Sequence, residues 1–391
     1  MSKLTIDDLL KSVCILGAGG KMGAGIALCL LTLMGRREKP FQLTLMDTNP
    51  SALNTIRPYL SEHLTKKFDE ASVERLLSQI VLASSPDKIG RPNLVFEAVV
   101  ELASVKIDLL KNIKRQVSEE TVFLSNTSSI PIKVLESGAG IKGRIMGFHF
   151  YNPPPVQKLL EIVSTSTTSP ELVTHCRSLG AALEKKSVLA QDIAGFIGNG
   201  HFIREGLFAC AQIRALLTQW SLQESISIID MISQHYLMRP MGIFSLMNYV
   251  GLDVFEMICA TMTTYIPTET FDATMVQQLK GNSGWDSALA QEETPALAAL
   301  KSDLPEDWPT WKMLKTDLNR DEIIRKNIDW IWSSSCQGAA LSQSILRHSN
   351  DVANTLVTSG VAASLGDVDT VLKLGFHHLY GTKVGMEKGC L

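Results

Sequence analysis

The chain reads as an α/β protein: an N-terminal Rossmann-like doubly wound domain followed by an all-α C-terminal region. Three observations predict this. A glycine-rich turn, GAGGKMG at 17–23, stands between an apolar run and an apolar helical stretch. Short apolar runs then alternate with helical patterns up to about residue 191. Beyond Asp192 the apolar residues recur at helical spacing.

In chain order, SVCILGAG is an apolar run into glycines, as a buried parallel strand requires. A helix follows to about Met34. GRREKP is a polar loop, and FQLTLMD is a second strand ending in Asp47. Two charged helical stretches fill Ser51 to Gln79. IVLASS, NLVFEAV, TVFLSNT and RIMGFHF read as short strands, and LLEIV and KKSVLA as added edge strands. AGFIGNGHFIREGLFACAQIRALL, SLQESISIIDMISQHYL and FSLMNYVGLDVFEMICATM then carry helical periodicity, while Gly, Pro and Trp collected at 281–311 read as a loop or linker. The expected domains are 1–191, 192–300 and a helical extension at 301–391. SLQESISIIDMI at 221–232 aligns with SLGDVDTVLKLG at 364–375, so the extension is either a degenerate second copy of the helical domain or a coincidence of short segments.

Composition narrows the function. The 391 residues are 45% apolar and 20% charged, as a packed core requires. A net charge of −3 without a basic, aromatic-laced stripe argues against nucleic acid. No apolar run has the length of a membrane span, and GIALCLLTLMG reads as a buried helix. MSKLTIDDLL lacks the marks of a signal or transit peptide. The seven cysteines are scattered and form no CxxC, which suits reduced thiols, so a cytoplasmic protein is expected. His377 and His378 have no Cys or acidic residues at ligand spacing, and no metal is expected.

The loop residues Gly17, Gly19, Lys21, Met22 and Gly23 lie where backbone N–H groups meet a pyrophosphate at a helix N-terminus. Counted from Gly17, the motif is one residue longer than G-x-G-x-x-G. Asp47, at the end of the second strand, can accept both ribose hydroxyls, and no Arg follows it for a 2′-phosphate, which favours NAD. Four polar groups then suggest hydride transfer coupled to proton transfer. His149 ends the strand RIMGFHF, and histidine is the residue type best suited to accept a proton near neutral pH. Glu161 sits in the apolar run KLLEIV; if buried, it needs a partner, which an imidazolium would supply. Ser128 follows TVFLSNT and either donates to a substrate oxygen or caps the next helix. Asn199 lies early in the first long helix after Asp192.

These segments resemble the L-3-hydroxyacyl-CoA dehydrogenase family, including its 3-hydroxybutyryl-CoA-specific members. The resemblance spans about residues 12–256 through GAGGKMGAGIA, LMDTNP, VFEAVVELASVK, LSNTSS, GFHFYNPPPVQKLLEIV, DIAGFIGN and RPMGIFSLMNYVGLD. It implies an NAD-dependent, reversible oxidation of an acyl-CoA substrate in fatty acid β-oxidation chemistry. By position, His149 is the family's base, Glu161 its partner, and Ser128 and Asn199 the residues on the substrate oxygen. Glu101, Lys106 and Asn152 match positions lining the cofactor site, with Asn126 in the same turn; Lys66 matches a lysine near the coenzyme A phosphates. The resemblance also implies a homodimer through the helical domain, or a monomer if a C-terminal repeat covers that surface.

The chain departs from the family in the longer glycine loop, in Gly200 where an arginine usually follows the asparagine, and in Asn248 for a usual aspartate. Two other readings keep the fold: action on a free hydroxy acid, and a catalytically weak dinucleotide-binding or scaffold relative.

Overall fold

The computed structural model describes residues 5–37, 39–280, 289 and 294–386. It divides the chain into two compact units, Met1–Asp192 and Ile193–Leu391.

The first unit is built on one eight-stranded sheet. Its strands are β1 (Ser12–Leu16), β2 (Gln42–Met46), β3 (Ile80–Ala83), β4 (Leu94–Glu97), β5 (Val122–Ser125), β6 (Ile145–Phe150), β7 (Leu159–Ser164) and β8 (Lys186–Gln191), in the spatial order 3-2-1-4-5-6-7-8. The first six run parallel. β7 turns back antiparallel to β6, and β8 runs parallel to β7. Strand order reverses between β1 and β4, so a crevice opens beyond their C-terminal ends, where such sheets bind ligands.

The strand interiors explain this stacking. β1, β4, β5 and β6 are apolar almost throughout and buried on both faces, because helices cover the sheet on each side. α1 (Ile6–Leu9) leads into β1, and α2 (Lys21–Gly35) follows it with no charged residue after Lys21, which lets nearly its whole surface be buried. α3 (Pro50–Leu64) starts at an Asn49 N-cap with Pro at N1, α4 (Glu70–Ser78) at an Asp69 N-cap, and α7 (Pro170–Ala182) at a Ser169 N-cap with Pro at N1. α5 (Ala103–Lys114) and α6 (Ile132–Ala139) connect β4 to β5 and β5 to β6.

One expectation changes here. LLEIV is not an edge strand: β7 lies between β6 and β8, and its unbroken burial reflects that. KKSVLA, as β8, does form the edge, with the alternating exposure of a strand half in water.

The second unit is helical. α8 (Gly198–Leu216), α9 (Leu222–Met231), α10 (Ile243–Val250), α11 (Leu252–Tyr265) and α12 (Thr274–Lys280) precede helices at Pro295–Ser302, Trp311–Thr316, Arg320–Ser333, Gln337–Thr358 and Leu365–Gly375. Two of the expected long helices are interrupted. A π-helical turn at Ile232–Tyr236 follows α9, and Gly251, at φ 103°, separates α10 from α11, which meet at 91°. The expected loop at 281–311 contains the helix Pro295–Ser302; its residues 281–288 and 290–293 lie outside the described residues. One hydrophobic core joins residues on both sides of position 300, from Phe202, Ile229 and Phe255 to Ile328, Ile345 and Val384.

Among the described residues the cysteines are free and no group of three or more His, Cys, Asp or Glu converges as a metal site. No single helix there is long and apolar enough to cross a membrane.

Candidate active site

The glycine loop is shaped by close approach. Gly17 leaves β1 at φ 79°, and a Cβ there would stand 2.6 Å from the Ala98 carbonyl oxygen on the neighbouring strand. A Cβ at Gly23 would come within 2.2 Å of the Gly17 oxygen, so α2 can pack against the turn only with glycine at that position. The Gly17 and Ala18 N–H groups both donate to the Met46 oxygen, fastening the turn to the end of β2. Asp47 begins just beyond β2; its Oδ2 accepts from the Gly19 N–H at 2.9 Å and its Oδ1 from Asn49 N–H at 2.9 Å. The exposed Lys21 and half-buried Met22 open α2. A turn of bare backbone at a helix N-terminus with an oriented carboxylate beside it fits a dinucleotide. The additional residue is accommodated by the Gly20–Gly17 hydrogen bond, which closes the turn before α2 starts.

The end of β4 carries a buried ionic network. Glu97 closes β4, and Lys106 rises from the first turn of α5. The Lys106 Nζ lies 2.7 Å from Glu97 Oε1, 3.1 Å from Glu101 Oε2 and 3.1 Å from the Val99 oxygen. Glu101 Oε1 in turn collects the turn after β5: Thr127 Oγ1 donates at 2.6 Å, Ser128 N–H at 2.9 Å, and the Ser129 N–H and hydroxyl at 3.2 Å. Burial works to raise the Glu101 carboxyl, but Lys106 and these donors outweigh it and hold it below the usual carboxylate range. Ser125 donates to Glu97 Oε2. The half-buried Ser128 is therefore presented by a turn gripped through Glu101, and its hydroxyl reaches the same oxygen at 3.4 Å. Asn126 accepts from Phe150 N–H at 2.9 Å, which joins that turn to the end of β6 beside His149.

His149 and Glu161 are directly opposite each other in the antiparallel β6/β7 register. Residues so paired point to the same face and stand close enough for side chains to meet. The His149 Nδ1 lies 2.9 Å from Glu161 Oε2, with Glu161 wholly buried and His149 8% exposed. The Tyr151 hydroxyl also donates to Glu161 Oε2, at 2.8 Å. Sequence reasoning passed over Tyr151, although a residue two positions beyond a strand histidine falls on the same face. It also passed over Glu97, whose place at the end of a fully apolar strand called for a buried partner.

Three candidates remain, Asn152, Lys66 and Asn199. Asn152 is exposed after β6. Lys66 is exposed beyond α3 and paired with Glu62 at 3.1 Å. Asn199 is half-buried in the first turn of α8, in the second unit.

A neutral histidine with Nδ1–H committed to a carboxylate presents Nε2 as its acceptor. On a sheet that also carries a dinucleotide turn, such a pair can exchange a proton while a hydride moves.

Residues 12–193 match the family model described as "3-hydroxyacyl-CoA dehydrogenase, NAD binding domain". The chain is 31% identical over 257 residues to the mitochondrial hydroxyacyl-coenzyme A dehydrogenase of Homo sapiens, covering 64% of this chain and 79% of that protein. It is 27% identical over 252 residues to a probable 3-hydroxybutyryl-CoA dehydrogenase of Bacillus subtilis, covering 62% and 82%. The fold matches the crystal structure of 3-hydroxybutyryl-CoA dehydrogenase from Escherichia coli K12 with a TM-score of 0.72 and 23% identity, over 95% of this chain and 90% of that one.

Proposed function

This chain belongs to the 3-hydroxyacyl-CoA dehydrogenase family of NAD-dependent oxidoreductases, and from that premise we propose that it oxidises an L-3-hydroxyacyl-CoA to the 3-ketoacyl-CoA, reversibly, with His149 as the base. The observation that carries this reading is the buried His149–Glu161 pair in direct cross-strand register. Bound NAD supplies the acceptor for the hydride. His149 Nε2 takes the proton of the 3-hydroxyl as the carbonyl forms, and returns it in the reverse direction. Glu161 orients the ring and offsets the charge it gains. Ser128, on the turn held by Glu101, donates to the reacting oxygen. Asn199 is assigned to the same oxygen, and Lys66 to the coenzyme A phosphates, each by its place in the family pattern.

The second unit fits a reading in which the C-terminal residues are a degenerate second copy of the preceding helical domain. Asp230 accepts from Phe244 and Ser245 N–H groups, and a Cβ at Gly242 would lie 2.2 Å from its Cγ. Asp369 accepts from Thr382 N–H, and a Cβ at Gly381 would lie 2.3 Å from its Oδ2. The same aspartate-to-glycine spacing of twelve residues recurs, which supports an equivalence of Asp230 with Asp369. Ser221 and Ser364 both cap their helices, but under this equivalence α9 begins one turn earlier. A monomeric chain follows from this reading.

The test is NADH consumption with acetoacetyl-CoA, with His149→Ala as control. Wild-type turnover should fall by about 10²–10⁴ in the variant, the usual contribution of a general acid–base group. Turnover of free 3-keto acids but not of acetoacetyl-CoA would overturn the acyl-CoA reading.

A further inference from the structure

We propose that Tyr151 is a positioning residue for the His149–Glu161 pair, its hydroxyl setting how strongly the carboxylate acts on the ring. The inference rests on the reading of His149 as the base and deepens it.

The geometry comes from the strands. His149 opposes Glu161, and Tyr151, the first residue after β6, brings its side chain to the same pair. The Tyr151 and His149 ring centroids are 4.9 Å apart, tilted by 40°. Both donors end on one atom: Glu161 Oε2 lies 2.9 Å from His149 Nδ1 and 2.8 Å from the Tyr151 oxygen. Among the described residues, the titratable His149 and Tyr151 from the β6 side meet Glu161 from β7.

Two donors on a single oxygen share its charge. A hydrogen bond to a buried carboxylate is stronger than one between neutral groups, and a phenol contributes it without adding a charge. The hydroxyl therefore draws part of the Glu161 charge away from the imidazole and fixes the carboxylate's rotation. A phenylalanine would fill the same volume and leave the full charge facing the ring. Burial, and after it the Glu161 charge, push the Tyr151 phenol well above its ordinary range, so it stays a donor wherever the protein works.

The experiment measures kcat/KM against pH for hydroxyacyl-CoA oxidation in wild type, Tyr151→Phe, Glu161→Gln and the double variant. In Tyr151→Phe the acid limb should move up by about half a pH unit, since a charge-stabilising contact is removed. Its kcat should fall by less than about tenfold and its KM change by less than about twofold, because the hydroxyl acts through Glu161 and not on the substrate. In the Glu161→Gln background the Tyr151→Phe substitution should have no further effect on the limb. An unmoved limb, or an equal shift in both backgrounds, overturns the proposal. Absence of turnover in wild type would instead defeat the functional reading. The ¹⁵N-edited Nδ1–H resonance of His149 then decides separately: a downfield move in Tyr151→Phe supports the proposal, and an unchanged resonance overturns it.

Discussion

A lysine ammonium at 1% exposure is tolerated only when its three protons have acceptors and its charge has a counterpart. Lys106 has Glu97, Glu101 and the Val99 carbonyl. Replacing it with Met keeps the stem and leaves two carboxylates facing each other in the interior. The expected cost is about 3–5 kcal/mol, the usual loss when one partner of a buried pair is removed. The first unit should then melt roughly 10 °C lower, since about 1 kcal/mol moves Tm by 2–4 °C at this size. The sign of the pH dependence follows from the two groups. Glu101 is held below its ordinary range, so its stabilisation is present above the unfolded carboxylate pKa and is lost as pH falls through the folded one. Lys106 is raised by its carboxylates against the opposing effect of burial, so its contribution is complete at neutral pH and lost only in strong base. Differential scanning calorimetry should therefore show a gap between wild type and Lys106→Met that is full at pH 7 and narrows toward pH 4; a gap independent of pH would mean that packing of the stem, not charge, is what Lys106 supplies. At this scale the sequence disclosed the groups more readily than the contacts. A histidine at a strand end and a glutamate inside an apolar run each announce a partner, and they are each other's. Which donors share Glu161 Oε2, and that Lys106 reaches the Ser128 turn through Glu101, depend on angles between elements that no spacing encodes.

The strand–turn–helix from β1 to α2 was legible because its glycines answer steric needs that local sequence displays. Gly23 is the strictest of them, since a Cβ would press on the Gly17 oxygen at 2.2 Å and on the Ala18 Cα at 2.8 Å. Both obstacles are backbone, so the loop or the start of α2 must shift. Gly23→Ala is expected to weaken NADH binding by about tenfold or more, which corresponds to about 1.4 kcal/mol, while the sheet beneath keeps its fold. Fluorescence titration with NADH beside a far-UV circular dichroism spectrum checks both, and unchanged affinity would mean that the loop does not hold the pyrophosphate. Elsewhere the element pattern misled in understandable ways. LLEIV lacks the polar alternation of an edge strand, and that continuity is the mark of the inner position β7 occupies. The helical period through FSLMNYVGLDVFEMICATM persists across Gly251, whose φ of 103° ends one helix and starts the next without disturbing the apolar count on either side. Around 295–302 the Pro and Gly punctuation outweighed a short amphipathic pattern, yet Pro295 sits at N1 behind a Thr294 N-cap, where proline favours a helix.

On the scale of the whole molecule, the second unit sets the consequence of its last third. The division expected near residue 300 does not separate two cores: Leu314, Ile324, Ile331 and Leu346 are buried together with Ile213, Ile228 and Phe244. Polar contacts cross the same division, with the Tyr380 hydroxyl donating to the Leu237 oxygen and the Trp308 indole to the His235 oxygen. The helix Gln337–Thr358 covers α8: His348 stacks on Phe208 at 4.0 Å, and a Cβ at Gly338 would lie 2.3 Å from the Tyr236 hydroxyl. A surface satisfied this closely from within the chain is not available to a second copy. The full chain should accordingly sediment as a single chain at micromolar concentration. A chain cut after Ser302 would expose the apolar side of α8 and take away the Tyr380 and Trp308 donors from the Leu237 and His235 carbonyls, so its second unit should lose its cooperative melting transition or self-associate. A full-length dimer would show that α8 is not the face through which such chains pair, and a cut chain that stays monomeric with that transition intact would show that the C-terminal helices are an appendage and not half of the core.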